Sequence, residues 1–200
     1  METVSKSAAA PGSRRSTQPF FLLLASLLCA VHGFVSWRFG WSESGLLTLL
    51  RSTARTSAIL FLAAFVARPW CRLSAGRSAR ELLRRRREVG LAMAVSHGIH
   101  LAAIVGYFRQ SAGPRPDLVT LLVGGGAYVL LGLMALTSTR RARQALGRWW
   151  RRLHLLGMWW LWFVLLATFA GNASTRWSSA LFSALLLGAA LLRLVVRLRR

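Results

Sequence analysis

Two histidines three residues apart, His97 and His100, lie in the otherwise apolar stretch LAMAVSHGIHLAAIVGYF. On a helix this spacing puts both imidazole rings on one face, about 60° apart. An imidazole in apolar surroundings needs a hydrogen bond, an ion pair or a metal ion, because burying an unpaired polar group is unfavourable. The pair is therefore a candidate site for hydrogen bonding or for metal binding.

Two further histidines and two arginines share this apolar setting. His32 and His154 complete the set of four histidines, all within or at the ends of apolar stretches. Arg51 and Arg55 lie four residues apart inside another apolar stretch, so that they share one helix face. Ionisable groups inside a membrane span are rare and are candidates for function. No Asp or Glu falls at mid-span, which argues against a proton or cation pump.

The composition indicates a membrane protein. Hydrophobic residues make up 54% of the 200 residues, and only five residues are acidic. A transmembrane helix needs about 17 to 25 apolar residues, and six stretches have roughly this length. They are Phe20 to Trp37, Gly45 to Ala67, Val89 to Phe108, Leu118 to Leu136, Leu153 to Ala170 and Ser179 to Val196. We expect an all-α membrane protein with a six-helix transmembrane domain over residues 19–197, a basic tail over 1–18 and a basic end over 198–200.

The positions of the basic residues predict the orientation in the membrane. Of 27 Lys and Arg residues, twenty-one fall in the two tails and in the second and fourth connectors, and four in the alternate connectors. By the positive-inside rule both termini are cytoplasmic, and the first, third and fifth helices run outward. Contact with the bilayer then accounts for the net charge of +22, because anionic lipid headgroups attract basic segments. A nucleic acid partner is not required. Arg outnumbers Lys 26 to one, which is typical of a GC-rich genome. We expect a multi-pass integral membrane protein, located in the bacterial inner (plasma) membrane.

Three segments resemble the ferric reductase-like transmembrane domain family. RRREVGLAMAVSHGIHLAAI is similar to the family's third helix, in which a haem-ligating histidine follows a glycine by ten residues, and this implies His100 as a haem ligand. LTSTRRARQALGRWWRRLHLLGMWW is similar to the connector into the fifth helix and implies His154. RSTARTSAILFLAAFVARP is similar to the second helix, where Arg55 fits the pattern. The resemblance covers roughly residues 20–196. In size the chain is similar to the haem-binding membrane subunit of the periplasmic methionine sulfoxide reductase system.

One ligand position departs from the family pattern. The second histidine of the fifth helix, thirteen residues after the first, is Ala167 here. At about 1.5 Å per residue, His154 lies only about 3 Å into its span, whereas His100 lies about 18 Å into its own. These two histidines therefore do not face each other across one haem. His32, also about 18 Å deep, is the better replacement opposite His100.

The remaining candidate residues each have two alternative roles. His97 either hydrogen-bonds in the haem pocket or serves as an alternative ligand, for which Met158 is the partner nearest in depth. Arg51 and Arg55 have no carboxylate available in the spans, so that haem propionates or a lipid phosphate are their expected partners.

The resemblance implies a b-type haem electron-transfer subunit. Electrons would pass from a separate cytoplasmic flavin reductase to an acceptor protein or metal on the outer side, while this chain holds, tunes and insulates the haem. The alternative is a haem-free membrane anchor or assembly subunit of the same fold, in which the nine tryptophans serve packing and interfacial anchoring. A small-molecule transporter is a weaker third reading, because the sequence shows no inverted repeat.

The charge distribution generates a topology prediction. A reporter that functions only in the cytoplasm should be active when fused after Arg200, and a reporter that functions only outside should be silent there. Fusions in the third connector, after Arg115, should give the reverse pattern. A C-terminal fusion that is active only outside the cytoplasm would overturn the assigned orientation.

Overall fold

The computed structural model describes residues 18–74, 76–113 and 115–199. This part of the chain forms six α-helices, each long and apolar enough to cross a membrane. They are α1 (Gln18–Phe39), α2 (Glu43–Leu73), α3 (Arg77–Gln110), α4 (Leu118–Leu136), α5 (Arg140–Ala170) and α6 (Trp177–Leu198). The prediction of an all-α membrane protein with six transmembrane helices is confirmed. The cytoplasmic location of the termini stays a prediction, and the tail over 1–17 and Arg200 lie outside the described residues.

Three helices extend well beyond the apolar stretches that predict them. α2 and α5 have 31 residues each and α3 has 34, which corresponds to about 47 to 51 Å of helix against a hydrocarbon core of about 30 Å. Their extra turns carry most of the basic residues of the second and fourth connectors. The basic connectors are therefore mostly helical.

Polar side chains cap three of the helices at their first turn. Ser42 accepts a hydrogen bond from the backbone N–H of Gly45 at 3.3 Å, and Asp117 accepts one from Thr120 at 2.9 Å. Thr139 caps α5 in the same way. Each cap satisfies one backbone N–H that has no partner within its helix.

Helix α5 is broken at Gly147. This glycine has a φ of 48°, in the left-handed region that residues with a Cβ rarely adopt. The break separates the basic segment 140–146 from the apolar span that follows it. The hydrophobic pattern locates the span from Leu153 onward, but it does not reveal that the preceding basic segment is also helical.

Five of the helices close into a ring. Each of α2, α3, α4, α5 and α6 packs against the next, and α6 packs back against α2, while α1 packs against α2 and α3. Inside the ring, apolar side chains from different helices form one core cluster, which includes Phe61 and Phe65 of α2, Leu161 of α5 and Leu186 of α6.

Candidate functional site

His100 is held by a hydroxyl group on the neighbouring helix α2. Its Nδ1 lies 2.7 Å from Oγ1 of Thr53. The Thr53 hydroxyl donates its proton to the carbonyl of Leu49 at 2.8 Å, as helical threonines commonly do. We therefore assign the proton of the imidazole contact to Nδ1 of His100, which leaves the lone pair of the neutral ring on Nε2. This tautomer suits metal binding through Nε2, with a hydrogen bond behind it that orients the ring.

His97 stacks between His100 and an aromatic ring of α4. Its ring centroid lies 5.4 Å from that of His100 and 4.8 Å from that of Tyr128. Nδ1 of His97 and the Tyr128 hydroxyl are both buried without a hydrogen-bond partner among the described residues. A buried group with unused hydrogen-bonding capacity calls for an explanation, and a bound group is one.

His32 of α1 completes a cluster of three imidazoles. The side chain is 1% exposed, its Nδ1 lies 3.5 Å from Oγ of Ser52, and its Nε2 has no partner in the described part of the chain. The ring interacts electrostatically with His100, which is bonded to the residue after Ser52. Helices α1 and α3, each in contact with a hydroxyl group of α2, thus bring His32, His97 and His100 together, and we refer to these residues as the histidine cluster.

His154 lies apart from the histidine cluster. Its Nε2 is 3.3 Å from Oγ1 of Thr137, and its ring stacks on Trp150 with the centroids 4.1 Å apart. It interacts electrostatically with Arg86, which precedes His100 on α3 by fourteen residues, or about 21 Å of helix. His154 and His100 are therefore too far apart to bind one iron atom.

Two other candidate positions, Ala167 and Met158, contribute no ligand to the histidine cluster in this structure. Ala167, where the family pattern has a histidine, is an exposed residue of α5. Met158 is buried among the apolar side chains of the core cluster.

Arg51 and Arg55 lie side by side in a groove on the surface of α2. The groove has a volume of about 420 Å³, and both arginines are exposed in it. Nη2 of Arg55 donates a hydrogen bond to Oγ of Ser178 on α6 at 3.1 Å. Ser52, which contacts His32, also lines this groove. The two arginines are thus separated from the histidine cluster by little more than one side chain.

A larger cavity lies between α1, α2 and α3. Its volume is about 520 Å³, and His32 forms part of its wall. Most of the remaining wall is apolar: Cys29, Trp37, Trp41, Leu49, Ile99, Ala102 and Ala103. Apolar walls with a few polar groups are typical of cofactor sites.

The sequence matches a known protein family. Residues 53–168, more than half of the chain, match the model of the ferric reductase like transmembrane component. The chain belongs to this family. The matched segment contains Thr53, His97, His100 and His154, whereas His32 and Arg51 precede it. Membership of the ferric reductase-like family indicates a role in membrane electron transfer. Comparisons with curated proteins and with solved structures give no match.

The described residues fit a haem better than a bare metal ion. In the described part of the chain no three His, Cys, Asp or Glu side chains, the histidine cluster included, are arranged so that they could hold one metal ion, as a metal ion bound by protein ligands alone generally requires. A haem iron takes only one or two protein ligands, commonly neutral imidazoles. His100 has the required tautomer, and Nε2 of His32 is buried without a partner. At His154 the fit is weaker, because Nε2 already contacts Thr137.

Sequence reasoning missed the hydroxyl groups that position the imidazoles. Ser52, Thr53, Tyr128 and Thr137 contact one histidine each. A signal exists in the segment RSTARTS, which places four hydroxyl residues inside an apolar span. In hydrocarbon such groups hydrogen-bond within or between helices.

The Thr53 contact predicts a stability difference between two threonine variants. Thr53→Val removes the hydroxyl that holds His100 and should lower the free energy of unfolding by roughly 0.5 to 1.5 kcal/mol, as measured by denaturation in detergent. Thr56→Val is the matched control, since the Thr56 hydroxyl bonds to the Ser52 carbonyl of its own helix. Equal stabilities of the two variants would show that the contact with His100 contributes nothing.

Proposed function

We propose that the protein is the b-type haem electron-transfer subunit of a bacterial inner-membrane oxidoreductase. The observation that carries this proposal is the contact of 2.7 Å between Thr53 and His100, within the segment that matches the ferric reductase-like family. This contact orients the neutral imidazole of His100. The neighbouring imidazoles of His32 and His97 each have a nitrogen atom without a hydrogen-bond partner in the described part of the chain. A bound haem would supply one-electron chemistry at this position.

The residues of the histidine cluster have different roles in this proposal. His100 is the principal axial ligand, since Thr53 orients its ring and leaves Nε2 free of its proton. His32 is the ligand on the opposite side, because its Nε2 has no partner among the described residues and its side chain lines the cavity between α1, α2 and α3. His97 is the neighbour that hydrogen-bonds in the pocket or replaces a ligand. His154 would serve a separate haem nearer the basic end of the bundle.

The surroundings of the cluster set the properties of the site. The apolar walls beside His32 favour a low local dielectric constant, which controls redox potential. Arg51 and Arg55 offer two guanidinium groups for haem propionates, for which Arg forms charge-assisted and often bidentate hydrogen bonds.

The electron donor and acceptor follow from the orientation proposed above. The basic connectors at one end of the bundle favour a docking partner with an acidic face, and a separate cytoplasmic flavin reductase is the donor that we propose. The acceptor is a protein or metal on the outer side, near the end of the bundle that carries Arg51 and Arg55.

A haem-free anchor or assembly subunit of the same fold is the second candidate. Two observations favour it: Ala167 stands where the family has a ligand, and Nε2 of His154 is engaged with Thr137. In this case the histidine cluster would serve interhelical hydrogen bonding alone.

Haem content separates the two candidates. The purified protein should show the reduced-minus-oxidised spectrum of b-type haem, with at least one haem per chain. His100→Ala should lose the haem of the histidine cluster, whereas His154→Ala should retain it, because His154 interacts with Arg86, which lies about 21 Å along α3 from His100. A colourless but folded wild-type protein from haem-replete cells, or unchanged haem content in His100→Ala, would favour the anchor.

The arginine groove predicts a second effect on the haem. Arg55→Leu should lower haem retention or shift the midpoint potential, because it removes a charge-assisted partner of a propionate. Arg77→Leu is the control, since Arg77 is exposed at the start of α3, far along the chain from the groove. Equal haem content and equal potentials in the two variants would rule out the propionate role of Arg55.

A further inference from the structure

A proline near the end of α2 leaves one backbone carbonyl without its helical partner. Pro69 lies inside α2 and has no N–H, so that it cannot donate to the carbonyl of Phe65 four residues earlier. Nε of Arg193, on α6, donates to this carbonyl at 3.0 Å. Nε of Arg86, on α3, donates to the adjacent carbonyl of Ala64 at 2.7 Å. Two guanidinium groups, one from α3 and one from α6, are thus fixed at consecutive backbone carbonyls of α2.

Aromatic rings add to the fixing of Arg193. Its guanidinium carbon lies 3.6 Å from the ring centroid of Phe65 and 5.9 Å from that of Trp159. Such cation–π contacts stabilise a guanidinium most where water is partly excluded. Nε of Arg193 and the face of its guanidinium group are therefore engaged. Its Nη atoms remain as hydrogen-bond donors.

Arg68 brings a third positive charge to the same place. It lies one helical turn after Ala64 on α2 and interacts electrostatically with both Arg86 and Arg193. We refer to Arg68, Arg86 and Arg193 as the arginine cluster. Arg86 and Arg193 are partly buried, whereas Arg68 is exposed, so that the cluster opens to the surface through Arg68.

The nearest acidic residues are engaged elsewhere. Glu81 forms ion pairs with Arg84 and Arg85, which hold the pKa of this exposed carboxyl at about 2. Glu88 interacts electrostatically with Arg84, Arg85 and Arg87. Across the described residues, no carboxylate forms an ion pair with the arginine cluster. Two partly buried positive charges beside a third, exposed one favour the binding of an anion.

We propose that the arginine cluster is a binding site for a phosphate group. Guanidinium groups that are fixed through Nε present their Nη atoms as planar forks, and this geometry matches the oxygens of a phosphate. The group belongs to a phospholipid headgroup or to a soluble phosphate compound, since the cluster lies near the ends of α2 and α6 and is open on one side. None of the three arginines is assigned above to haem, and Arg86 interacts electrostatically with His154.

Phosphate titration of the full chain in detergent tests the proposal. Sodium phosphate should raise the midpoint of thermal unfolding more than sodium chloride at equal ionic strength. Arg68→Gln should raise the phosphate concentration needed for half of this effect by about tenfold, through loss of charge-assisted hydrogen bonds. Arg72→Gln is the matched control, one turn further along α2 and exposed, and should leave that concentration unchanged.

Arg86→Lys supplies an independent variant, because it keeps the charge and removes the fork, and it should also weaken the phosphate effect. A short-chain phosphatidic acid identifies the source of the group. If it acts at lower concentration than inorganic phosphate, the group is a lipid headgroup, and if the two act at similar concentrations, it belongs to a soluble compound. An effect of phosphate no larger than that of chloride, or equal effects in the Arg68 and Arg72 variants, would overturn the proposal, whatever the haem content.

Discussion

Hydrogen bonds to hydroxyl groups on α2 are the interaction on which the arrangement of the bundle depends. Ser52 contacts His32 of α1, Thr53 contacts His100 of α3, and Ser57 lies 3.0 Å from Ser96 of α3. The interior of a bilayer offers no water, so that polar groups there must be satisfied within the protein. Because the partners are short side chains, each contact tolerates little sliding of one helix along another. The positions of α1 and α3 relative to α2 are therefore set by polar contacts, and apolar packing fills the ring around them.

This placement gives the two sides of α2 different chemical characters. One side carries the imidazole contacts and borders an apolar cavity, whereas the other carries Arg51 and Arg55 in an open basic groove. Ser52 belongs to both. An amphipathic molecule with an aromatic body and acidic edges would match such a combination, and haem is a molecule of this kind.

Much of the fold follows from the sequence, because six apolar stretches of spanning length allow few other structures. The separation of His154 from His100 also follows, since helical rise converts position along the chain into depth. The hydrogen-bond partners of the imidazoles cannot be predicted from the sequence in the same way. Which of four hydroxyl residues in RSTARTS meets His100 depends on the rotation of α2 and α3 about their axes, and one apolar pattern permits several rotations. The meeting of Arg86 and Arg193 is still harder to foresee, because 107 residues separate them along the chain.

The contacts made by α6 have a consequence for the order in which the chain assembles. During synthesis α2 emerges early, but the carbonyl of Phe65 acquires its donor only from Arg193, and Arg55 acquires its hydroxyl partner only from Ser178. Until α6 has inserted, the carbonyl of Phe65 therefore lacks a hydrogen-bond donor and the guanidinium of Arg55 lacks its hydroxyl partner, both inside or at the edge of the membrane. An incomplete chain would be recognisable by these groups, which lipid cannot satisfy. Helix α6 thus supplies the partners of polar groups on α2 that would otherwise stay unsatisfied in the membrane.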